Sequence, residues 1–572
     1  RRRWDKRAVA ATSSRVSADW GGGMPSLSGE TTSHDLQYLK NGAWIFLRTL
    51  DPSEEPREAA EQARANSELT VVRVVENRHD AAYQLTRRLT AYRSFSQEGE
   101  VGDMLISVPV GSATVCAQAT DLYRPTAIDD ARGLVTKFLD DSKVSLLEVM
   151  HDFSLASRMD NTPMLLQGAC QKVAGHQARG GLVSVGAPKR SRELMKLCED
   201  ALKRLDQRFA DKQRPIIPMP MDNLATEAEV IRSTEPAPEQ DFEIGLRITA
   251  TLREAGDWLG KLNAVVTGDS DGLGDPDRRL LDLFLADLLA LPQCLRSLTG
   301  APKPRRRLLW TLARIHGGAY QPDEDLEKPV PPALVEALNR VMKRRSMKRS
   351  RWLIRQALVA EIDTRRPLAD NTVAGEITVL ADFYKELRKL SVGLTNDPDV
   401  KLALESRAAR MVSAERVADD MATMRSLAER FAHIARLIGL APGSNNKAVL
   451  AQYAREMCKN RDDLRASFLG YNGRGEPLEL GASVLRALFD SKVPSEIKAD
   501  LGRMMDGLMV EILRDRLAKK RKLSGPEIMK HLLRCGQLPE GDAATMIKML
   551  AIKLVKQPDF LPSFVSSYKS DA

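Results

Sequence analysis

Apolar residues in the second half of this chain recur at spacings of three and four, and that period makes helix its main architecture. Val417, Met421, Met424, Ala428, Phe431, Ala435 and Ile438 keep the alternation for three heptads, which at 3.6 residues per turn puts all of them on one face. The spacing predicts one continuous helix over 417–438 with those positions buried. Leu427, Ile434 and Leu437 widen the stripe. A broad stripe needs two or more neighbours, so the helix belongs to a bundle and not to a two-stranded coiled coil. Val373, Ile377, Leu380, Tyr384 and Leu387 repeat the pattern, as do Ile497, Leu501, Met505, Leu508, Ile512 and Leu513.

Composition agrees with that period. Apolar residues at 43% and charged residues at 28% are those of a globular chain, not a disordered one. Aromatic residues are only 5%, whereas Leu, Ala, Arg and Met, all good helix formers, are frequent. A chain of 572 residues exceeds what one core accommodates, so two to four domains are expected. The expected fold is mainly α, a multidomain helical bundle or irregular helix-pair stack, with a smaller α+β N-terminal part. Short β-branched or aromatic runs at 43–50, 69–75 and 104–110 supply the strand candidates.

Ser145 and Glu148 have the spacing of a capping box, in which hydroxyl and carboxylate satisfy the first amides of a helix. Leu194, Leu197, Leu202 and Leu205 follow at helical spacing. Ser524, Pro526 and Glu527 form a second helix-start signal, Gly536 a stop, and Asp542 precedes another apolar-periodic run. Helix lengths suit a solenoid, but no repeat signature recurs.

Pro215, Pro218, Pro220, Pro236 and Pro238 with scattered acids make 211–241 the expected linker, extended and exposed. It separates an α+β to helical N-terminal domain, 24–210, from a helical unit, 242–316. A Pro- and acid-rich loop, 317–332, then leads to a helical C-terminal domain, 333–572. Residues 1–23, rich in Arg, Ser and Gly before Met24, read as a disordered or non-native extension.

The longest apolar run, 280–291, is interrupted by Asp282 and Asp287, so no membrane span is expected. The six cysteines contain no C-x-x-C pair and read as free, mostly buried thiols in a reducing compartment, which places the chain in the cytoplasm.

Candidate chemistry is sparse. His34-Asp35, His79-Asp80 and His151-Asp152 resemble the dipeptide that HD-type phosphohydrolases use for metal, but nothing fixes the separate His and Asp ligands those enzymes need. The carboxylates from Asp269 to Asp277 resemble a calcium loop, yet Leu273 and Leu280 stand where oxygen ligands are required. A Gly/Asp loop with Asp275 as N-cap is the expected structure. Gly181 and Gly186 have the spacing of a phosphate loop without its Lys and Ser/Thr, and Pro188 sits where the helix should start. Metal ligands, catalytic residues and a cofactor are therefore not called for.

The net charge of +9 is concentrated. Residues 303–355 hold fourteen basic and five acidic side chains, an excess equal to that of the whole chain. Arg305, Arg306 and Arg307 open the segment. If the later part is helical, Arg340, Arg344, Lys348, Arg351 and Arg355 line one face, flanked by Lys343, Arg345 and Arg349 with Trp352 nearby. Such a stripe neutralises phosphates or follows an acidic protein surface. Lys519 to Lys522, also basic, need no more than a role at a helix C-terminus.

The leading expectation is a non-catalytic helical interaction or regulatory protein, scaffold-like, that presents this basic surface to a macromolecular partner, in the first place a protein. The alternative is a nucleic-acid-binding protein using 303–355. A metal-dependent phosphohydrolase in the N-terminal part is the third reading.

Overall fold

The computed structural model describes residues 30–40, 43–67, 71–80, 85–95, 114–179, 181–300, 305–324, 326, 328–364, 366–390, 393–470, 477–489, 495–519, 526, 529, 532 and 541–569. The chain is mainly α, with a small antiparallel sheet towards its N-terminal end. Strands β1 (Glu30–Lys40), β2 (Ala43–Leu50), β3 (Val71–Asp80) and β4 (Leu85–Phe95) stand in the order β2-β1-β3-β4. Helix α1 (Pro56–Ser67) connects β2 to β3 and covers one sheet face, where Leu36, Leu50, Val72 and Val74 pack on Ala59 and Ala60. The expected strand at 43–50 is β2, and the run at 69–75 lies mostly in β3. The run at 104–110 falls outside the described residues.

β1 escaped sequence reading because its buried side chains include polar ones. Asp35 and Gln37 are 1% and 2% exposed. Asp35 accepts hydrogen bonds from Asn77 at 2.7 Å and Thr49 at 2.9 Å, and Gln37 accepts from Arg73 at 2.8 and 3.0 Å. Paired across strands, these groups tolerate burial, but they erase the alternation of apolar and polar residues that announces a strand.

A 3₁₀ turn, Ala119–Tyr123, leads into the helical body. Helix α2 (Pro125–Ser142) is followed by the short α3 (Leu146–Met150) and α4 (Phe153–Asp160), and then by a hairpin of α5 (Leu165–Arg179) and α6 (Ala187–Ala210). Next come α7 (Leu224–Thr234), α8 (Ala237–Ala255), α9 (Trp258–Thr267), α10 (Asp275–Leu289), α11 (Pro292–Thr299) and α12 (Arg305–Gly317). Helices α13 (Pro332–Lys343), α14 (Lys348–Asp363), α15 (Val373–Leu390), α16 (Pro398–Met411) and α17 (Ala414–Ala422) continue the series. It runs on through α18 (Leu427–Leu440), α19 (Ser444–Cys458), α20 (Arg461–Leu469), α21 (Pro477–Phe489) and α22 (Ser495–Lys519) to helices Asp542–Val555 and Phe560–Lys569. One apolar core runs through this body from Ile128 to Phe560.

Local signals place many of the helix starts. The Ser145/Glu148 capping box forms, and α2, α6, α8, α10, α11, α13 and α16 each carry Pro at their first or second position, where the missing N–H costs nothing. Asp542 opens its helix. Of the signal residues Ser524 to Glu527 and Gly536, only Pro526 is among the described residues.

Two expectations are corrected. Segment 211–241 is not an extended, exposed linker: it contains α7, and Met219, Met221, Leu224, Ala228 and Ile231 are buried in the shared core. Its prolines do local work instead, with Pro236 and Pro238 opening α8, while the Thr251 hydroxyl bonds both N and O of Met219 at 2.9 and 2.8 Å. The run 417–438 is two helices, α17 and α18, because Ser426 accepts from the Glu429 amide at 3.1 Å and starts a new helix. Val417, Ala428, Phe431, Ala435 and Ile438 are buried as expected, whereas Met421 and Met424 beside the break are half-buried. In α15 the apolar stripe is buried except for Tyr384, which is exposed.

Candidate functional site

The basic segment divides at residues 344–347. Arg344 ends α13 in extended conformation, ψ 135°, and α14 begins only where Asp282, reaching from α10, accepts the Arg349 and Ser350 amides at 2.8 and 2.9 Å and the Ser350 hydroxyl at 2.6 Å. The five-residue stripe from Arg340 to Arg355 is therefore not one helix face. Its members have different fates. Arg344 ion-pairs with Asp269 and, at 2.6 Å, with Asp271. Arg355 is buried against Asp397 at 2.6 Å, and Arg305 pairs with Glu361 at 3.0 Å. Arg351 and Trp352 are half-buried, and burial lowers the Arg351 pKa. Arg306, Arg307, Arg340, Lys343, Arg345 and Lys348 are exposed.

Arg349, a flanking residue in the sequence, is only 6% exposed. Its Nη2 donates to Pro125 O at 2.6 Å and pairs with Asp129. Asp129 also holds Arg132 at 3.0 Å, and Arg132 meets Asp287 at 2.6 Å. Asp287 in turn accepts the Leu147 amide at 2.7 Å. This chain of charges joins α14, α2, α10 and α3. Beside it, the Glu148 of the capping box takes the Lys261 ammonium at 2.6 Å.

The network borders a cavity of about 330 Å³ between the 3₁₀ turn, α2, α3, α6, α8, α10 and α14. Four arginines, Arg124, Arg204, Arg279 and Arg349, line it against two acids, Asp241 and Asp282. Tyr123, His151 and Phe242 supply ring surface. The Arg204 guanidinium lies 3.9 Å from the Phe242 ring centroid, and the Tyr123 hydroxyl donates to Met150 O at 3.0 Å. His151 Nδ1 lies 2.8 Å from Leu147 O. As a neutral ring it donates there and leaves Nε2 unprotonated. Its other side rests on Gly245, where a Cβ would come within 2.4 Å of Nε2.

Burial, only partly offset by the bond to Leu147, lowers the His151 pKa from 6.5 to about 4, and burial followed by Arg351 and Arg355 lowers His316 to about 3. The unfolded imidazoles protonate near 6.5 while the folded ones stay neutral, so the unfolded state binds more protons below that pH. Stability from these residues is complete above pH 6.5 and is lost as pH falls toward 4. The thermal midpoint is expected to drop steadily over that interval, and less steeply in His151→Gln. A flat midpoint in the wild type would contradict it.

The three His-Asp dipeptides do not come together. His34-Asp35 lies on β1 and His79-Asp80 on β3, while His151 and Asp152 join α3 to α4. Asp35 is spent on Asn77 and Thr49. Asp152 caps α4, accepting the Leu155 amide at 3.0 Å, and pairs with Arg253. Among the described residues no group of three or more His, Cys, Asp or Glu side chains is placed to hold a metal ion. In the 269–277 loop Gly274 is the N-cap, and Asp275, expected there, is the first residue of α10. Gly186 is the N-cap of α6. The cavity residues Tyr123, Arg124, Arg204, Phe242 and Arg279 were not singled out from the sequence. Their signal is faint: Pro125, Pro238 and Pro276, each in the first turn of a helix, all line the cavity. Comparison with protein-family models, curated proteins and solved structures finds no match. No helix among the described residues is long and apolar enough to cross a membrane.

Proposed function

We propose that this chain is a non-catalytic helical interaction protein, regulatory and scaffold-like, that meets an acidic protein surface through the corner between α13 and α14. One observation carries the reading. Arg344 is paired with Asp269 and Asp271, and Arg340, Lys343, Arg345 and Lys348 are exposed within nine residues. The pair of Arg344 with the buried Asp269 and that of Arg349 with Asp129 hold the two helices at this corner to the rest of the body, so the cations sit on a supported element.

Retention on immobilised polyglutamate and on duplex DNA at rising salt tests the proposal, because neutralising a polyanion releases counterions. Polyglutamate binding is expected to weaken steeply with salt, and Arg340→Ala with Arg345→Ala to lower the log–log slope by about one to two. Retention on DNA alone would favour the nucleic-acid reading. No retention on either matrix at low salt would remove both.

A further inference from the structure

We propose that Cys170 and Cys198 are a redox-active dithiol, a modification site that a peroxide closes to a disulfide across the α5–α6 hairpin and that a small thiol reopens. This site is separate from the α13–α14 corner and does not depend on its function. The register of the hairpin brings the two residues together. Near the loop, Arg190 Nε donates to the Gln177 side-chain oxygen at 2.6 Å. One turn further from the loop on each helix stand Ala174 and Leu194, and one turn beyond them Cys170 and Cys198. Cys170, Ala174 and Gln177 thus share one face of α5, and Arg190, Leu194 and Cys198 one face of α6. These positions, Cys198 excepted, are 6% exposed or less. Cys170, Ala174 and Leu194 form a small apolar cluster of their own, and Cys198 packs against it.

Both residues are free thiols, and their side chains are in hydrogen-bonding contact. The Cys198 S–H donates to the Cys170 sulfur and lowers its pKa, against the effect of burial, while the same bond raises that of Cys198. Cys170 is therefore the sulfur that reacts as thiolate, and Cys198 the one that resolves. The other described cysteines lack such a donor. Burial pushes the thiols of Cys116 and Cys458 up to about 11 and raises that of Cys294 as well, which leaves them protonated and inert.

The chemistry balances with hydrogen peroxide as the oxidant. The Cys170 thiolate attacks one peroxide oxygen; an S–O bond forms, the O–O bond breaks, and the hydroxide released takes up a proton as water. The Cys198 sulfur then attacks the Cys170 sulfur. The S–S bond forms as the S–O bond breaks, and the departing hydroxide leaves with the Cys198 proton as a second water. Two electrons have passed from the thiols to the peroxide. Two molecules of a thiol such as glutathione return them through a mixed disulfide and are themselves joined.

Treatment of the whole reduced chain with hydrogen peroxide, followed by peptide mapping without reductant, tests the proposal. The wild type is expected to lose two thiols per chain, to give a linked pair of peptides carrying Cys170 and Cys198, and to recover both thiols with dithiothreitol. Cys198→Ser is expected to stop at the sulfenic acid of Cys170, trapped by dimedone, and Cys170→Ser to give neither that adduct nor a link. Cys116 acts on Cys198 through its charge, so it is the control: Cys116→Ser should link as the wild type does. A wild type that keeps Cys170 and Cys198 unlinked, a link that runs through Cys116 instead, or a dimedone adduct on Cys198 in place of Cys170 would each overturn the assignment.

Discussion

Arg407→Ala is expected to cost about 3–5 kcal/mol of folding stability, the range for breaking a buried ion pair by removing one partner. Arg407, on α16, is 1% exposed and meets the Glu376 carboxylate, fully buried at the start of α15, at 2.8 and 3.0 Å. Its other N–H groups donate to Ile362 O, Thr364 O and Arg366 O at 3.0, 2.7 and 2.7 Å. The second oxygen of Glu376 accepts the Leu368 and Ala369 amides at 2.5 and 2.9 Å. One guanidinium thus ties the end of α14, the turn after it and the start of α15 to α16. Alanine leaves one Glu376 oxygen and the Ile362 carbonyl without these donors at a buried position. Arg407→Met with Glu376→Gln removes both charges and should recover part of the loss. Urea denaturation of the single and double variants checks both, and a single-variant loss under about 1 kcal/mol would show the site to be hydrated.

Phe431→Ala is expected to destabilise by about 3–5 kcal/mol, the cost of emptying a core aromatic site. Phe431 is fully buried on α18, which packs against α19, α20 and α21. Met421 belongs to the same alternation in the sequence but stands near the end of α17 and is only half-buried. Met421→Ala should therefore cost clearly less. Equal thermal midpoints for the two variants would mean that the break at 423–426 does not divide the core in this way.

The contrast between these two residues marks how far periodicity reaches. Spacings of three and four select a face, and most of the selected positions in α15, α18 and α22 are buried. They do not say whether the helix continues, because Ser426 interrupts the backbone without disturbing the apolar rhythm. The Ser145/Glu148 box was legible since all its bonds lie within four residues, and the first-turn prolines for the same reason. Proline density at 211–241 suggested an extended connection, although proline also starts helices. Neighbours decide between these uses, and here the neighbours bury Met219 and Ile231.

The basic segment shows the division most plainly. Apolar period, cap and proline signals and the run of charges along 303–355 are local, so helix, many helix starts and the place of the excess charge can be read from the residues. Which of those cations face water depends on contacts far apart in the chain. Arg344 turns to carboxylates 75 and 73 residues before it, and Arg349 to one 220 residues before it. Helical spacing carries no information about such partners, because a charge is neutralised by whatever the fold brings within a few ångströms, at any separation along the chain.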